Sequence, residues 1–195
     1  MPELNRFQAF RRRLIPINIA RMGPRPIVFA GLPGVGKTTL SLELARQIDA
    51  VYVRIDSIEQ ALRDTGLITG SWEDFGYRIG YAVASDNLRV GRSVVADSVN
   101  PLLVSRSAWA AVASQAGAVA INVEVRCSDA IEHRRRVKTR LSGIPGFKPP
   151  SWDEVMGRDY QTWTEEHLVI DTAGRSIESC LKELRTALAA RTPGQ

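Results

Sequence analysis

The stretch Gly31–Thr38 reads GLPGVGKT and decides the fold that the sequence predicts. It follows a short apolar run, Ile27–Ala30, and opens a segment, Lys37–Ile48, whose apolar residues recur at helical spacing. An apolar strand, a glycine loop ending in Lys-Thr, and a helix, in this order, are the context of a P-loop. Backbone N–H groups of such a loop curl around phosphates because its glycines lack a Cβ, and the helix N-terminus adds a favourable dipole. The sequence therefore predicts a site for the phosphates of a nucleoside triphosphate.

Within this loop, the polar side chains have separate predicted roles. Lys37 is expected on the β- and γ-phosphates, and the Thr38 hydroxyl on Mg²⁺. Thr39 either reaches the α-phosphate or caps the helix. The predicted nucleotide-binding residues are Gly31, Gly34, Val35, Gly36, Lys37, Thr38 and Thr39.

Strand and helix patterns alternate along the rest of the chain, as in an α/β protein. After Ile27–Ala30, further strands are predicted at Val51–Ile55, Ser93–Ala96, Val119–Val125 and His167–Ile170. Further helices are predicted at Ser57–Arg63, capped by Asp56 or Ser57, at Ser105–Gln115, ended by Gly117, and at Ile177–Ala190. This alternation implies a parallel sheet covered by helices on both faces, with ligands bound outside the carboxyl ends of the strands.

The composition fits one domain rather than two. The chain has 195 residues, of which 44% are hydrophobic and 24% are charged, values that are normal for a single globular domain. Residues 1–25 mix Pro, Asn and Arg around a short apolar stretch and end before Pro26. We therefore expect an N-terminal extension over residues 1–25 and one core domain over residues 26–191.

Charge and cysteine content narrow the classes of function. The net charge of +5 suits attraction of a nucleotide as well as of nucleic acid, so nucleic acid is the less favoured partner. No apolar run approaches the roughly 20 residues that span a bilayer, and no secretory h-region follows Arg11–Arg13. Cys127 and Cys180 belong to no Cys or His cluster, so we expect buried free thiols in a reducing cytoplasm.

Two carboxylates follow predicted strands at the sheet edge where the P-loop lies. Asp56 comes after the second strand and Asp97 after the third. One such carboxylate can hold Mg²⁺ or its waters, and the other can accept the proton of an attacking hydroxyl. We assign Asp97 to the metal and Asp56 to the hydroxyl, although the reverse assignment stays open. The structural alternatives are a helix cap for Asp56 and a turn residue for Asp97.

A basic segment, His133–Arg140, follows the fourth predicted strand. Helical spacing places Arg136 and Arg140 on one face, where guanidinium groups can neutralise a transferring phosphoryl group. The alternative is a solvated basic helix face, and His133 is expected at the surface or in packing rather than as a base. Gly and Pro residues then fill Leu141–Pro150, so the helix stops and residues 128–150 are predicted to form a lid.

With these residues assembled, the chain resembles the small P-loop kinases of the group that includes chloramphenicol phosphotransferase, zeta toxin and the kinase domain of polynucleotide kinase. Many members of this group are known only as AAA-family ATPases or predicted kinases. The resemblance covers about residues 26–190 and rests on Gly31–Thr38, Ile55-Asp56, Val95–Asp97 with Arg106 and Trp109 downstream, and the arginine-rich Val125–Arg140. The stretches Pro145–Trp152 and Ile170–Gly174, with Tyr160 and Trp163, look like the tail of the predicted-kinase subgroup.

The resemblance implies ATP as the phosphate donor, Mg²⁺ as the cofactor, and a three-layer P-loop sandwich like that of the nucleoside monophosphate kinases. It also implies a five-stranded parallel sheet in the order 2-3-1-4-5. By the same resemblance, Asp56 falls where the group keeps the base for the acceptor hydroxyl. Many relatives place an arginine a few residues later, and Arg63 is the candidate for that position.

The residues between the second and third predicted strands are rich in aromatic side chains. Trp72, Phe75, Tyr77 and Tyr81 lie close together within Thr65–Asp86. In kinases of this shape the acceptor binds in this region. The aromatic side chains therefore either form a pocket for the acceptor or pack a helix onto the sheet.

The sequence as a whole predicts an ATP-dependent kinase that transfers the γ-phosphate to a hydroxyl of a small molecule. Asp56 is its predicted base, and Lys37, Arg136 and Arg140 are its predicted catalytic cations. The alternatives are a polynucleotide or nucleotide-sugar kinase, and an ATP-hydrolysing switch; the guanine-reading Asn-Lys-x-Asp of GTPases is absent. We expect a cytoplasmic monomer or homodimer with no membrane partner.

Overall fold

In the computed structural model, residues 23–66 and 74–191 are described, and they form five strands and seven helices. The strands are β1 (Pro26–Ala30), β2 (Val51–Arg54), β3 (Val94–Asp97), β4 (Ile121–Arg126) and β5 (Leu168–Asp171). The helices are α1 (Lys37–Gln47), α2 (Ile55–Asp64), α3 (Phe75–Arg89), α4 (Leu103–Gln115), α5 (Ala130–Thr139), α6 (Trp152–Met156) and α7 (Ile177–Ala190). Residues 1–22 of the predicted N-terminal extension, and Trp72, lie outside the described residues.

The five strands form one parallel sheet in the order β2-β3-β1-β4-β5. This confirms the predicted α/β fold and strand order. Strand β1 is central and fully buried, and its Phe29 is in register with Asp97 of β3 and Val123 of β4. The P-loop therefore starts between the carboxyl ends of two neighbouring strands.

Helices cover both faces of the sheet, which makes the predicted three-layer sandwich. Alternate residues of a strand point to opposite faces, so neighbouring residues of β1 enter different cores. Phe29 packs in a buried cluster with Leu44 of α1, and Val28 packs in a second cluster with Trp109 of α4. Burying one such aliphatic or aromatic side chain stabilises the fold by about 1.5–3 kcal/mol. The two clusters hold the carboxyl edge of the sheet in place.

The connection after β2 differs from the predicted one. Arg54, in register with Asp97, ends the strand, and α2 begins at Ile55 rather than Ser57. Arg54 is the N-cap residue, without a side-chain cap hydrogen bond, so the predicted cap at Asp56 or Ser57 is wrong. The helix starts early because Ile55 is buried and packs beneath Gly80 of α3. Asp56 consequently lies in the first turn of α2.

Smaller differences concern the strand ends and the thiols. Strand β4 starts at Ile121, in register with Ile27, because Val119 is exposed. Strands β3 and β5 each begin and end one residue later than predicted.

Both cysteines are free, and Cys180 is buried as expected. The expectation is wrong for Cys127, which is only half-buried because it follows the exposed end of β4.

Arg106 of α4 fixes the long segment between α6 and β5. Its guanidinium donates hydrogen bonds to the backbone oxygens of Pro101 at 2.9 Å and Gln161 at 2.7 Å. It also lies 4.0 Å from the ring centroid of Trp163, a cation–π contact. Because Arg106 is buried, these contacts replace the water that its charge would otherwise need.

No helix in the described part of the chain is long and apolar enough to span a bilayer.

The backbone at Gly31 packs tightly against the sheet. Gly31 has φ 134°, a conformation that L side chains rarely adopt. Its N–H donates to the Val99 oxygen at 3.0 Å, and a Cβ at this position would collide with the carbonyl oxygen of Val125 in β4. Only glycine fits between the two strands that flank β1.

We expect Gly31→Ala to lower the free energy of unfolding by roughly 3 kcal/mol, because strain and a backbone collision add. The matched control is Gly117→Ala, at φ 67° with open space around the added Cβ. That change should cost only about 1 kcal/mol. Urea denaturation of both variants measures the difference, and equal losses would contradict the close packing at Gly31.

Candidate functional site

A cavity of about 1080 Å³ lies at the carboxyl edge of the sheet. The P-loop and the start of α1 form one side of it. The opposite side is formed by α2 and by the chain between α5 and β5. Most of the predicted site residues line this cavity, namely Gly34, Gly36, Lys37, Thr38, Thr39, Asp56, Arg136 and Arg140. Gly31, Val35 and Asp97 are buried.

The P-loop leads directly into the N-terminus of α1. Gly36 is the N-cap at φ 101°, and no side chain caps the helix, so the N–H groups of the first turn keep no intrahelical partner. Lys37 is 8% exposed, and its Nζ donates to the Leu32 oxygen at 3.3 Å. Thr39 does not cap the helix and lines the cavity. This arrangement presents backbone donors and an ammonium group to an anion.

Thr172, after β5, ties the P-loop to the basic helix α5. Its Oγ1 lies 2.8 Å from the Val35 oxygen and 3.0 Å from the Arg126 oxygen. Arg136 donates to the same Oγ1 at 2.8 Å and to the Thr172 backbone oxygen at 3.0 Å. A third hydrogen bond joins Arg136 to Glu132 at 2.7 Å. Arg136 is therefore held at the rim of the P-loop by bonds to other parts of the fold.

The pKa of Lys37 is influenced by the two predicted aspartates, Asp97 and Asp56. Burial lowers the pKa of the Lys37 ammonium group, and the charges of Asp97 and Asp56 oppose that shift. Burial likewise lowers the pKa of Arg140, with Asp56 opposing. Arg140 nonetheless stays protonated, as arginine does in proteins. Both aspartates thus act on the cations of the cavity.

Asp97 and Asp56 are linked by Arg54, which sequence reasoning missed. Arg54 Nε lies 3.8 Å from Asp97 Oδ2, and its second guanidinium nitrogen lies 3.8 Å from Asp56 Oδ2. The Tyr52 hydroxyl also donates to Asp97 Oδ2 at 2.7 Å. The two carboxylates differ in access, since the Asp97 side chain is 3% exposed and that of Asp56 is 32% exposed. Asp97 is buried behind the loop, whereas Asp56 faces the cavity.

The predicted metal ligands are the Thr38 hydroxyl, which lines the cavity, and the Asp97 carboxylate, which is 3% exposed. No described residue donates a hydrogen bond to Asp97 Oδ1, since Tyr52 and Arg54 both approach Oδ2. Mg²⁺ usually takes one or two protein oxygens and fills its octahedron with phosphate oxygens and water. Among the described residues no group of three or more His, Cys, Asp or Glu side chains forms a closed metal site. The donor set therefore fits Mg²⁺ that arrives with a nucleotide.

The basic segment of α5 divides between the cavity and the solvent. Arg136 and Arg140 line the cavity, whereas Arg134 and Arg135 are exposed. His133 is buried, and its Nε2 lies 2.8 Å from the Pro33 oxygen, so it packs under the P-loop. Arg136 and Arg140 are four residues apart on one helical face, and both therefore reach the same cavity.

The predicted aromatic cluster is used mainly for packing. Tyr81 stacks edge-on against Trp109 with ring centroids 4.8 Å apart. The Tyr77 hydroxyl accepts a hydrogen bond from the Asn100 N–H at 2.9 Å and also lines the cavity. Phe75 is 45% exposed. Of the described aromatic residues of this cluster, only Tyr77 reaches the site.

Further cavity residues escaped sequence reasoning. Glu59 lies one helical turn after Asp56, and Lys148 and Arg158 belong to the segment that faces α2. Thr172 carried no signal of its own beyond the resemblance of the stretch Ile170–Gly174 to the predicted-kinase subgroup. Arg54 did carry one, because it is a charged residue ending an otherwise apolar and aromatic strand, VYVR.

A comparison with protein families agrees with this geometry. A family model described as AAA domain matches residues 27–143, from β1 through the P-loop and α5. The chain belongs to this AAA domain family. No curated protein matches the chain in sequence.

Solved structures share the fold of this AAA domain protein. Kti12 of Chaetomium thermophilum, in complex with ADP-AlF3, is 18% identical with a TM-score of 0.64 and covers 87% of this chain and 100% of its own. The APS kinase CysC of Mycobacterium tuberculosis, in complex with AMPPNP and APS, is 19% identical with a TM-score of 0.62, covering 86% and 98%. A gluconokinase from Sinorhizobium meliloti 1021 is 16% identical with a TM-score of 0.60, covering 87% and 94%. The family match confirms the predicted AAA-family membership, and the shared fold confirms that the chain is folded like the small P-loop kinases.

Glu59 makes the stability of the fold depend on pH. Burial, and then the charge of Asp56, raise the pKa of Glu59 from 4.5 to about 6, against the charges of Arg63 and Arg158. The folded protein therefore holds a proton that the unfolded chain has lost between these two pH values. By linkage, the contribution of Glu59 to stability falls as pH rises through this window.

We expect Glu59→Gln to gain about 1–2 kcal/mol of stability relative to wild type between pH 4 and pH 8, because the variant has no carboxylate to ionise. Urea denaturation at the two pH values measures this change. The control is Glu178→Gln, which removes an exposed carboxylate of α7. A pH-independent effect of Glu59→Gln would show that Glu59 ionises as freely as a surface carboxylate.

Proposed function

We propose that this protein is an ATP-dependent kinase that transfers the γ-phosphate to a hydroxyl group of a small molecule. One observation carries the proposal: the P-loop and the Asp56 carboxylate line the same cavity, of about 1080 Å³. A cavity of this size is large enough for a nucleotide and a small acceptor. Phosphoryl transfer requires that the two reactants meet in one water-excluding space.

On the donor side, the P-loop amides and Lys37 bind the phosphates of ATP. Thr38 and Asp97 would hold Mg²⁺, which supplies neutralisation of charge on the phosphate oxygens when it is bound. Arg136, fixed by Thr172 and Glu132, and Arg140 face the same space. Their guanidinium groups match the oxygens of the transferring phosphoryl group.

On the acceptor side, Asp56 accepts the proton of the attacking hydroxyl. The hydroxyl oxygen forms a bond to the γ-phosphorus while the bond from that phosphorus to the β–γ bridging oxygen breaks. The products are ADP, a phosphomonoester of the acceptor, and a proton held first by Asp56. Arg54, 3.8 Å from Asp56, positions the carboxylate.

Exposure favours one assignment of the two aspartates. A base must reach the proton that it removes, and Asp56 is 32% exposed while Asp97 is 3% exposed and bonded to Tyr52. This supports Asp56 as the base and Asp97 as the residue on the metal side. Two similar structures support the idea that this fold can bind a phosphate donor and an acceptor. One is the APS kinase in complex with AMPPNP and APS, and the other is a gluconokinase.

Acceptor-dependent consumption of ATP tests the proposal. Hydroxyl compounds are screened for ADP formation above the rate with ATP and Mg²⁺ alone. At least one compound should raise the rate and appear as its phosphomonoester. ATP hydrolysis at a constant rate with every compound would favour an ATP-hydrolysing switch instead.

With such an acceptor, we expect Asp56→Asn to lower kcat by about 10²–10⁴-fold, the usual contribution of a general base. The Kd for ATP should stay within about twofold of wild type, because the amide keeps the shape of the side chain. Asp86→Asn is the control, since Asp86 lies on the exposed face of α3, and it should leave kcat unchanged. Turnover of Asp56→Asn at the wild-type rate would remove Asp56 from the mechanism.

A further inference from the structure

Large and small residues of α3 are distributed in an unusual way for a helix at the protein surface. Its buried side consists of Gly76, Gly80, Ala84 and Leu88. A Cβ at Gly80 would collide with the side chain of Ile55 in α2, so the small residues let α3 pack closely against its neighbour. A surface helix usually turns its large apolar residues inward, whereas small residues fill most of the inner side of α3.

The outer side of α3 carries large apolar residues instead. Phe75 is 45% exposed, Ile79 is 38% exposed and Val83 is 40% exposed, and their spacing of four residues aligns them in one stripe. Ala82 is exposed beside them. None of these four described residues lines the cavity, so the proposed reaction does not explain the stripe. A contiguous apolar surface that is exposed in this way marks a place where another protein surface binds.

Two charged residues flank the stripe at equal distances from its middle. Arg78 lies four residues before Ala82, Asp86 lies four residues after it, and both are exposed. At a rise of about 1.5 Å per residue, each charged residue is about 6 Å from Ala82 along the helix axis. Asp86 forms an ion pair with Arg89 at 3.0 Å, but both side chains are mostly exposed. An exposed pair contributes little to stability, so Asp86 can exchange it for another partner.

A second copy of the chain fits this pattern of charge and apolar surface. When two α3 helices lie antiparallel with their Ala82 residues opposite each other, Arg78 of each copy faces Asp86 of the other. The small Ala82 side chains permit a close approach of the two helix axes, and Ile79 and Val83 of both copies pack around them. A two-fold interface requires a surface that is complementary to itself. The outer side of α3 has this property.

We propose that the protein forms a homodimer through the outer side of α3, with the two helices antiparallel about a two-fold axis at Ala82. The dimer covers Phe75, Ile79 and Val83 and holds α3 against α2, the helix that carries Asp56. Each copy keeps a complete cavity of its own, so turnover does not require the dimer. One pair of helices is a small interface, below about 1,200 Å² in total, so we expect a Kd on the order of 10 µM.

Sedimentation equilibrium of the full chain between about 1 and 300 µM tests the proposal, since this range brackets the expected Kd. The weight-average mass should rise from that of the monomer and level off at that of the dimer, because a two-fold interface is closed. A monomer over the whole range would overturn the inference, and so would a mass that rises past the dimer. Dimers that form only after residues 1–22 are removed would show that another part of the chain covers the stripe, and would also overturn it.

Reversal of the two charges tests the antiparallel arrangement. Arg78→Glu and Asp86→Arg each place like charges opposite each other at both ends of the interface, so each should weaken self-association by at least about tenfold. An equimolar mixture of the two variants restores an opposite-charge contact at each end, and should form heterodimers with a Kd within about threefold of wild type. Lys182→Glu, at an exposed position of α7, is the charge-matched control for Arg78→Glu and should leave the Kd unchanged.

Circular dichroism confirms that each variant is folded, as expected for exposed positions. Single variants that associate as tightly as wild type would place the interface elsewhere and overturn the inference. A mixture in which the two variants remain monomeric would show that the two charges do not face each other, and would overturn the antiparallel dimer.

Discussion

The close packing of the P-loop between β3 and β4 is the constraint on which the site depends. Gly31 donates to Val99 after β3 and has no room for a Cβ beside Val125 of β4. Because β1 is bonded on both edges and buried on both faces, the loop cannot shift without disrupting two cores. Lys37 and the N-terminus of α1 are consequently held rigidly at one side of the cavity.

On the other side of the cavity, Arg54 links the two carboxylates of Asp97 and Asp56. Its guanidinium lies 3.8 Å from both Asp97 and Asp56, so it offsets repulsion between two carboxylates that end neighbouring parts of the sheet. One carboxylate is buried beside Tyr52, and the other faces the cavity. In the proposed function, this asymmetry assigns the buried carboxylate to the metal side and the exposed carboxylate to the acceptor side.

Local pattern predicted the fold well, because the P-loop and the alternating strands and helices are encoded in short stretches such as GLPGVGKT. The start of α2 was predicted wrongly, because the burial of Ile55 under Gly80 is a contact between distant residues. The contact between Arg54 and Asp97 could not be predicted for the same reason, because it depends on the register of β2 and β3. Thr172 and Arg158 likewise acquire their places from residues far away in sequence, whereas Arg136 and Arg140 reached one cavity as helical spacing predicted.

The fate of the terminal phosphate tests the central claim most directly. ATP labelled at the γ-phosphate is incubated with the protein, Mg²⁺ and a mixture of small hydroxyl compounds, and the labelled products are separated. The account predicts that most label leaves as a phosphomonoester, with ADP formed in equal amount. Label found only in inorganic phosphate, at the same rate with and without the mixture, would contradict it.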